Sequence, residues 1–180
     1  MKSIFSLIAV LIFPITLIAQ DNNSNVSVST YINYKLPKKA RKLSKEELVS
    51  KSNVNKEIKN NINYKVIKGE YYDFDEIIIF LNAGNGPTKI NHLQELKKGV
   101  DYLYNLESGI TNYKSQIIKL KNNSFLIYSY YDNNIGYSHF TSVNEKHNIA
   151  LVGELEYTLN KEEKAKKILS ELLASISFKM

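Results

Sequence analysis

The six residues from Gly84 to Lys89 have the composition of a loop that could hold an anion. Two glycines, Gly84 and Gly86, and the hydroxyl of Thr88 stand between an apolar run typical of a buried strand and an apolar repeat typical of a helix. Free backbone N–H groups at a helix start attract anions, and the ammonium of Lys89 would add a charge. The spacing is not that of a P-loop and Pro87 removes one donor, so a plain turn between strand and helix is the alternative.

The histidines, Ser138 and the paired acidic residues do not have the spacing of a metal site or of a catalytic nucleophile. The chain has no cysteine and three histidines, His92, His139 and His147. No two histidines have the i, i+4 spacing of a helical metal pair. Ser138 stands beside a histidine without the Gly-x-Ser-x-Gly turn that exposes a nucleophilic serine. Glu154 and Glu156 share a strand face and could form a catalytic carboxylate pair. Their placement on an exposed face of a sheet is the simpler explanation. We therefore expect no metal, no cofactor and no catalytic residue.

Tyrosine is the unusual component of the composition, with thirteen residues against no tryptophan. Its ring offers apolar area and its hydroxyl a polar tip, so a sheet that displays tyrosine can contact a protein or a glycan. Half-buried strand residues are the alternative interpretation. The tyrosines that are candidates for a partner contact are Tyr128, Tyr130 and Tyr137.

Positive charge is concentrated in the first half of the chain. Residues 35–68 carry eleven basic and three acidic side chains, a net charge of +8, whereas residues 69–180 carry twelve lysines and fourteen acids, a net charge of −2. Such a segment can face an acidic protein partner, anionic lipid or acidic glycans, although a solvated lysine-rich surface is the alternative. Because only one arginine is present, a nucleic-acid partner is not expected. The basic candidates for a partner contact are Lys38, Lys39, Arg41 and Lys42.

The first twenty residues are typical of a cleavable secretory signal peptide. Lys2 supplies a positive start, and the apolar run over residues 4–18 ends before an abruptly polar stretch. The run is shorter than the roughly 20 residues that span a bilayer and contains Pro14, so an uncleaved anchor is the less favoured alternative. We predict cleavage near Gln20, a periplasmic or extracellular location in a bacterial envelope, and no transmembrane helix in the mature form.

The hydrophobic patterns predict a polar leader over residues 21–30 and one domain over residues 31–180. Ser44 and Glu47 have the spacing of a capping box at the start of a short helix. A strand is predicted at 75–81, and its apolar run over residues 77–81 indicates that it is central and covered on both faces. Further elements in this half are a strand at 31–34, a strand at 64–68, a loop at 82–88 and a helix that begins at Thr88.

The second half alternates short apolar segments with asparagine-rich turns, which is typical of an antiparallel hairpin meander. The predicted strands are residues 117–120, 125–131, 137–143 and 149–158. In the last strand, the face with Glu154 and Glu156 is expected to be half exposed. Asn160 and Glu163 have capping-box spacing before an amphipathic helix, and residues 175–178 predict a terminal strand. The predicted fold class is therefore α+β, a mostly antiparallel sheet with helices packed on it as an α/β sandwich.

The last strand contains Gly153 and Tyr157, the amphipathic helix follows, and the chain ends in Ser-Ile-Ser-Phe at 175–178. This succession resembles the end of PsbP-like and DcrB-like domains. The resemblance covers roughly residues 110–180 and rests on packing residues. The Lys38–Lys42 segment and the glycine loop have no counterpart in that group. The resemblance implies a fold and a binding or assembly role in the cell envelope without enzymatic chemistry.

The sequence as a whole favours an exported, non-catalytic envelope protein that binds a protein partner as an accessory module of a periplasmic or surface assembly. Its contacts would be made by the basic segment or the tyrosine-bearing sheet. The alternative is a small secreted hydrolase or anionic-ligand carrier that uses the Gly84–Lys89 loop.

Overall fold

The structure is a computed structural model that describes residues 27–44, 46–48, 69–86 and 92–179. The predicted signal peptide and the strand predicted at 64–68 lie outside these ranges. The strands of the described ranges are β1 (Ile32–Asn33), β2 (Arg41–Lys42), β3 (Glu70–Phe74), β4 (Ile77–Asn85), β5 (Ile110–Leu120), β6 (Asn123–Asp132), β7 (Ile135–Asn144), β8 (Ile149–Thr158) and β9 (Ser177–Phe178). The longer helices are α1 (His92–Leu106) and α2 (Glu162–Ser175).

Seven of these strands form one antiparallel sheet in the order β2-β3-β4-β8-β7-β6-β5. Strands β5 to β8 are the predicted hairpin meander, each joined to the next by a short turn. Strand β4 lies between β3 and β8, and eight of its nine residues are buried, as the unbroken apolar run predicted. The mostly antiparallel sheet and its C-terminal helix confirm the α+β class.

Helix α2 covers one face of the sheet. Its buried residues recur at the helical spacing that places side chains on one stripe. The core on this face includes Ile79, Leu81, Phe125, Phe140, Leu151, Leu155, Ala165, Ile168, Leu172 and Leu173. The predicted capping box of Asn160 and Glu163 is wrong. A single turn of 3-10 helix at Leu159–Lys161 precedes α2, and Asn160 instead accepts a hydrogen bond from the Thr158 hydroxyl at 2.5 Å.

Helix α1 covers the opposite face, because the residues it contacts alternate along the strands with those that face α2. Its core comprises Val100, Tyr104, Leu126, Tyr128 and Val152. The expectation that the face with Glu154 and Glu156 is half exposed is wrong for Glu156, which is only 5 % exposed, whereas the Glu154 side chain is 29 % exposed, as expected. The sequence pattern of β8 alone did not show that a helix lies over this face.

The two ends of the described chain meet at a small two-stranded sheet. Strand β1 pairs with β9, with Ile32 opposite Phe178, so a terminal strand is present, but it is limited to Ser177–Phe178 because Ser175 is the last residue of α2. Val28 is 2 % exposed and belongs to the α2 core. The segment Ser27–Thr30, which we expected to be part of a polar leader, therefore belongs to the folded domain.

No helix in the described ranges is long and apolar enough to cross a membrane.

Candidate functional site

A turn over residues 37–40, here called the basic turn, carries two of the predicted contact residues. The backbone N–H of Ala40 donates to the carbonyl oxygen of Pro37 at 2.8 Å and closes the turn. Lys38 and Lys39 occupy its two central positions, and both are exposed. The turn therefore projects two adjacent ammonium groups into solvent.

Glu70, at the start of β3, holds the chain on both sides of the basic turn. Its carboxylate accepts hydrogen bonds from Ser27 (2.8 Å) and Tyr34 (2.9 Å) before the turn, from Lys42 (3.0 Å) after it, and from Tyr72 on its own strand (2.7 Å). Burial alone would raise the pKa of this carboxyl, but the hydrogen bonds dominate and lower the pKa of Glu70 to about 2. The carboxylate stays ionised and fixes three separate segments at one point.

Residues just after the basic turn are anchored a second time. Arg41 forms a 2.6 Å ion pair with Glu47, and the backbone N–H of Leu43 donates to the Tyr71 carbonyl at 2.8 Å. Ser44 and Glu47 form the predicted capping box, because each backbone N–H donates to the side chain of the other residue at 2.9 and 3.2 Å. Two of the predicted contact cations, Arg41 and Lys42, thus serve internal contacts.

A shallow depression lies on the same segment of chain as the basic turn. Its volume is about 360 Å³, and it is lined by Ser29, Ile32, Asn33, Tyr34, Leu36 and Lys179. Ile32 is fully buried beneath the depression, and Lys179, whose ammonium donates to the Ser29 carbonyl, contributes a cation to its lining. Tyr34 links this depression to the Glu70 network. The depression and the basic turn therefore share one structural support.

The predicted anion loop begins later than expected. Gly84 lies inside β4, opposite Ala150, and the backbone N–H of Gly86 donates to the carbonyl of Asn148 at 2.5 Å. A Cβ at Gly86 would stand 2.6 Å from the backbone nitrogen of Ala150, so the close approach of two backbone segments explains why this residue is glycine. One N–H expected to face an anion is thus used within the fold. The other two predicted ligand residues lie outside the described ranges: Thr88 and Lys89.

The predicted contact tyrosines are not displayed on the surface. Tyr128 and Tyr137 are 4 % and 6 % exposed, and Tyr130 is partly buried. Their role as direct partner contacts is therefore not supported by their positions. The physical reason is α1, which lies over this part of the sheet and contributes Tyr104 to the same core.

Beneath α1 these side chains form a tyrosine cluster that comprises Tyr104, Tyr113, Tyr128, Tyr130 and Tyr137 together with His139. Ring centroids in the cluster lie close together. Tyr104 is 4.7 Å from Tyr130, 5.5 Å from Tyr128 and 5.1 Å from Tyr113, on which it stacks at 7°. Tyr130 stacks on Tyr137 at 5.1 Å. Burial raises the pKa of Tyr104 to about 12 and the pKa values of Tyr128 and Tyr130 well above their ordinary value, so these phenols are neutral.

A hydrogen-bond chain runs from the cluster to β8 through His139. The Nδ1 atom of His139 lies 3.0 Å from the Glu154 carboxylate, and its Nε2 atom lies 3.4 Å from the Tyr130 hydroxyl. A carboxylate only accepts hydrogen bonds, so Nδ1 carries a proton. His139 thus links the Tyr130 hydroxyl to the Glu154 carboxylate.

At the side of the cluster between α1 and β5, a second tyrosine hydroxyl is hydrogen-bonded to a carboxylate. The half-buried Tyr113 donates to Asp101 at 2.7 Å, and Ser115 donates to the same carboxylate. Lys97 forms a 2.6 Å ion pair with Asp101 one helical turn away. Burial works against ionisation of Asp101, yet the hydrogen bonds from Lys97, Ser115 and Tyr113 outweigh it and lower the pKa of this carboxyl. These contacts also fasten α1 to β5.

In the described part of the chain, no group of three or more histidine and acidic side chains is arranged to hold a metal ion. No protein-family model matches the chain, and no curated protein sequence matches it significantly.

Proposed function

We propose that the protein is an exported, non-catalytic binding module of a bacterial envelope that contacts an acidic protein partner through the basic turn. One observation carries this proposal: Lys38 and Lys39 are exposed at the tip of a turn whose flanking residues are both held by the Glu70 carboxylate.

A turn that is already held in one conformation favours binding because little conformational entropy is lost when the partner binds. Ordering a flexible, lysine-rich segment at an interface costs free energy, and a segment already held in one conformation avoids most of that cost. Exposed positive charges also speed the encounter with an acidic surface, although each exposed ion pair adds little affinity by itself. The basic turn is thus suited to recognition by complementary charge, with affinity that falls as salt increases.

Export is supported by the first twenty residues, which have the pattern of a secretory signal peptide. The resemblance of the C-terminal part to PsbP-like and DcrB-like domains supports the same role, since that group is associated with binding and assembly in the envelope. We therefore place the protein in the periplasm or on the cell surface as an accessory subunit.

The test is affinity capture of envelope extracts on the tagged protein, at low and at high salt, with mass spectrometry of what is retained. The variant is the pair Lys38→Ala and Lys39→Ala. A matched control is the pair Lys119→Ala and Lys146→Ala, because these lysines are also exposed and remove the same charge elsewhere on the molecule.

We expect one stoichiometric acidic partner that is retained by the wild type and the control pair at low salt, lost at high salt and lost with the basic-turn pair. Equal retention by both variant pairs would mean that net charge and not the basic turn governs binding. That outcome would contradict the proposal.

A further inference from the structure

The depression beside the basic turn has a lining of mixed character. Tyr34 and Leu36 are half-buried and offer apolar surface, and Ile32 is fully buried beneath them. Ser29 and Asn33 are exposed and add polar groups to the same lining. Protein interfaces place their strongest contacts where an apolar side chain leaves water among polar neighbours. The depression therefore has the chemistry of a pocket for one anchoring side chain.

The size of the depression limits what it can hold. Its volume is about 360 Å³, near the lower end of the roughly 300–1,000 Å³ that is usual for pockets that take a small molecule. An α-helix with its side chains is about 10–12 Å across and would not enter such a depression. The volume instead fits one or two side chains of an extended peptide.

The depression and the basic turn are neighbours along the chain. Leu36 lines the depression, and Lys38 follows it by two residues. Their Cα atoms are therefore at most about 7 Å apart, and an extended peptide covers the same distance in about two or three residues. One short peptide segment is thus long enough to contact both features.

The charge around the depression has a single sign. Residues 27–44 contain five basic side chains and no acidic one, and Lys179 adds a further cation to the lining. Arg41 and Lys42 form internal ion pairs, whereas none of the ion pairs found in the described part of the chain involves either lysine of the basic turn. Complementary charge therefore favours an acidic occupant.

We propose that the protein recognises a short linear segment of its partner, which places an apolar side chain in the depression and acidic residues two or three positions away against Lys38 and Lys39. This inference rests on the proposed function and adds the chemistry of the segment that is recognised. The apolar side chain supplies affinity because it is removed from water, and the acidic residues supply selectivity and speed of encounter.

The test is selection of random linear peptides, displayed on phage, against the immobilised protein. The most enriched peptide is then synthesised, and fluorescence anisotropy measures its Kd. Ser29→Phe fills the depression from an exposed residue of its lining. The matched control is Thr30→Phe, which adds the same ring to the next exposed residue, outside the lining. Near-ultraviolet circular dichroism checks that both variants are folded.

Two further measurements use the same assay. A second peptide, in which alanine replaces the apolar residue, tests the contact without any change to the protein. The pair Lys38→Ala and Lys39→Ala tests the proposed function separately from the depression.

We expect the enriched peptides to share an apolar residue with aspartate or glutamate two or three positions away. Ser29→Phe and the alanine peptide should each weaken binding by at least about tenfold, and Thr30→Phe by less than about twofold. The basic-turn pair should also weaken binding.

The inference is overturned if the enriched peptides lack this pattern, or if Ser29→Phe binds as tightly as the wild type. Loss of binding by the basic-turn pair would in that case leave the proposed function standing. Unchanged binding by the basic-turn pair would contradict the proposed function and the inference together. Binding of an alginate oligosaccharide that is abolished by Ser29→Phe would show that an acidic glycan occupies the depression, which would also overturn the inference.

Discussion

Glu70 is the residue that fixes the position of the proposed binding surface, although it does not itself belong to the basic turn. Four donors converge on its carboxylate, three of them from outside its own strand, and two of those three, Tyr34 and Lys42, flank the basic turn. Hydrogen bonds to an ionised group are about twice as strong as those between neutral groups. The position of Lys38 and Lys39 therefore depends on a residue that lies about 30 positions further along the chain.

The first prediction concerns the pH dependence of stability that Glu70 contributes. Its pKa in the folded protein is about 2, below the ordinary value of 4.5, so the stabilisation is complete above about pH 4.5 and is lost as the pH falls from there towards 2. Glu70→Gln should lower the free energy of unfolding by about 2–3 kcal/mol at pH 7, and by progressively less as the pH approaches 2.

Urea unfolding of both proteins between pH 2 and pH 7 measures this difference. The matched control is Glu163→Gln, whose side chain is 88 % exposed and which should cost less than about 1 kcal/mol at any pH. A difference between wild type and Glu70→Gln that does not change with pH would contradict the role assigned to the carboxylate.

A second residue-scale prediction concerns Gly153 in β8. Phe140 lies opposite it on β7 and is fully buried, and a Cβ added at Gly153 would stand 2.1 Å from the ring. Because the ring has no free space to enter, Gly153→Ala should destabilise the protein by about 1–3 kcal/mol through overpacking. Thermal unfolding measures the effect. The matched control is Gly99→Ala on α1, where a Cβ meets no atom within 4 Å and stability should be unchanged or slightly higher.

At the scale of elements, the four strands of the meander were largely predictable because turn residues separate them, whereas β2 and β3 were not predicted. Asn133 and Asn148 have positive φ in the turns of the meander, a conformation that asparagine tolerates. The helix starts were predicted less well. The capping box of Ser44 and Glu47 forms, whereas the same spacing at Asn160 does not, because a turn of 3-10 helix is inserted before α2. Spacing shows that a cap can form but not which competing turn is used.

The third prediction tests how much α2 contributes to the fold. Leu172 is 1 % exposed in the core between α2 and the sheet, so Leu172→Ala should lower the free energy of unfolding by about 2–5 kcal/mol. Leu159→Ala removes the same atoms from a residue that is 42 % exposed and should cost less than about 1 kcal/mol. Chemical denaturation compares the two, and similar losses for both variants would contradict the assignment of Leu172 to the core.

At the scale of the whole molecule, the sheet is covered on both faces, by α2 on one and α1 on the other. Sequence reasoning did not predict that the tyrosines are buried. Tyr128 and Tyr130 alternate on β6 in the same way whether their face of the sheet is exposed to solvent or covered by a helix. Sequence reasoning also missed Glu70 as an anchor, since its four donors are up to 43 positions away. Contacts between residues distant in sequence leave no local pattern.

The fourth prediction concerns partner binding as a function of salt. If the basic turn supplies the charge that the partner recognises, raising the salt concentration should weaken binding of the wild type more steeply than binding of the Lys38→Ala and Lys39→Ala pair. Titration calorimetry with the captured partner at several salt concentrations measures both slopes. Parallel slopes would show that the charge of the turn is not involved.

Site-specific photo-crosslinking in living cells tests the central claim most directly. A photoreactive amino acid is placed at position 38 or 39 in one set of proteins, and at position 119, which is also exposed and lies on β5, in the control. The account predicts one dominant crosslinked partner from positions 38 and 39 and none from position 119. Crosslinks of equal yield from position 119, or no crosslink from the basic turn, would contradict it.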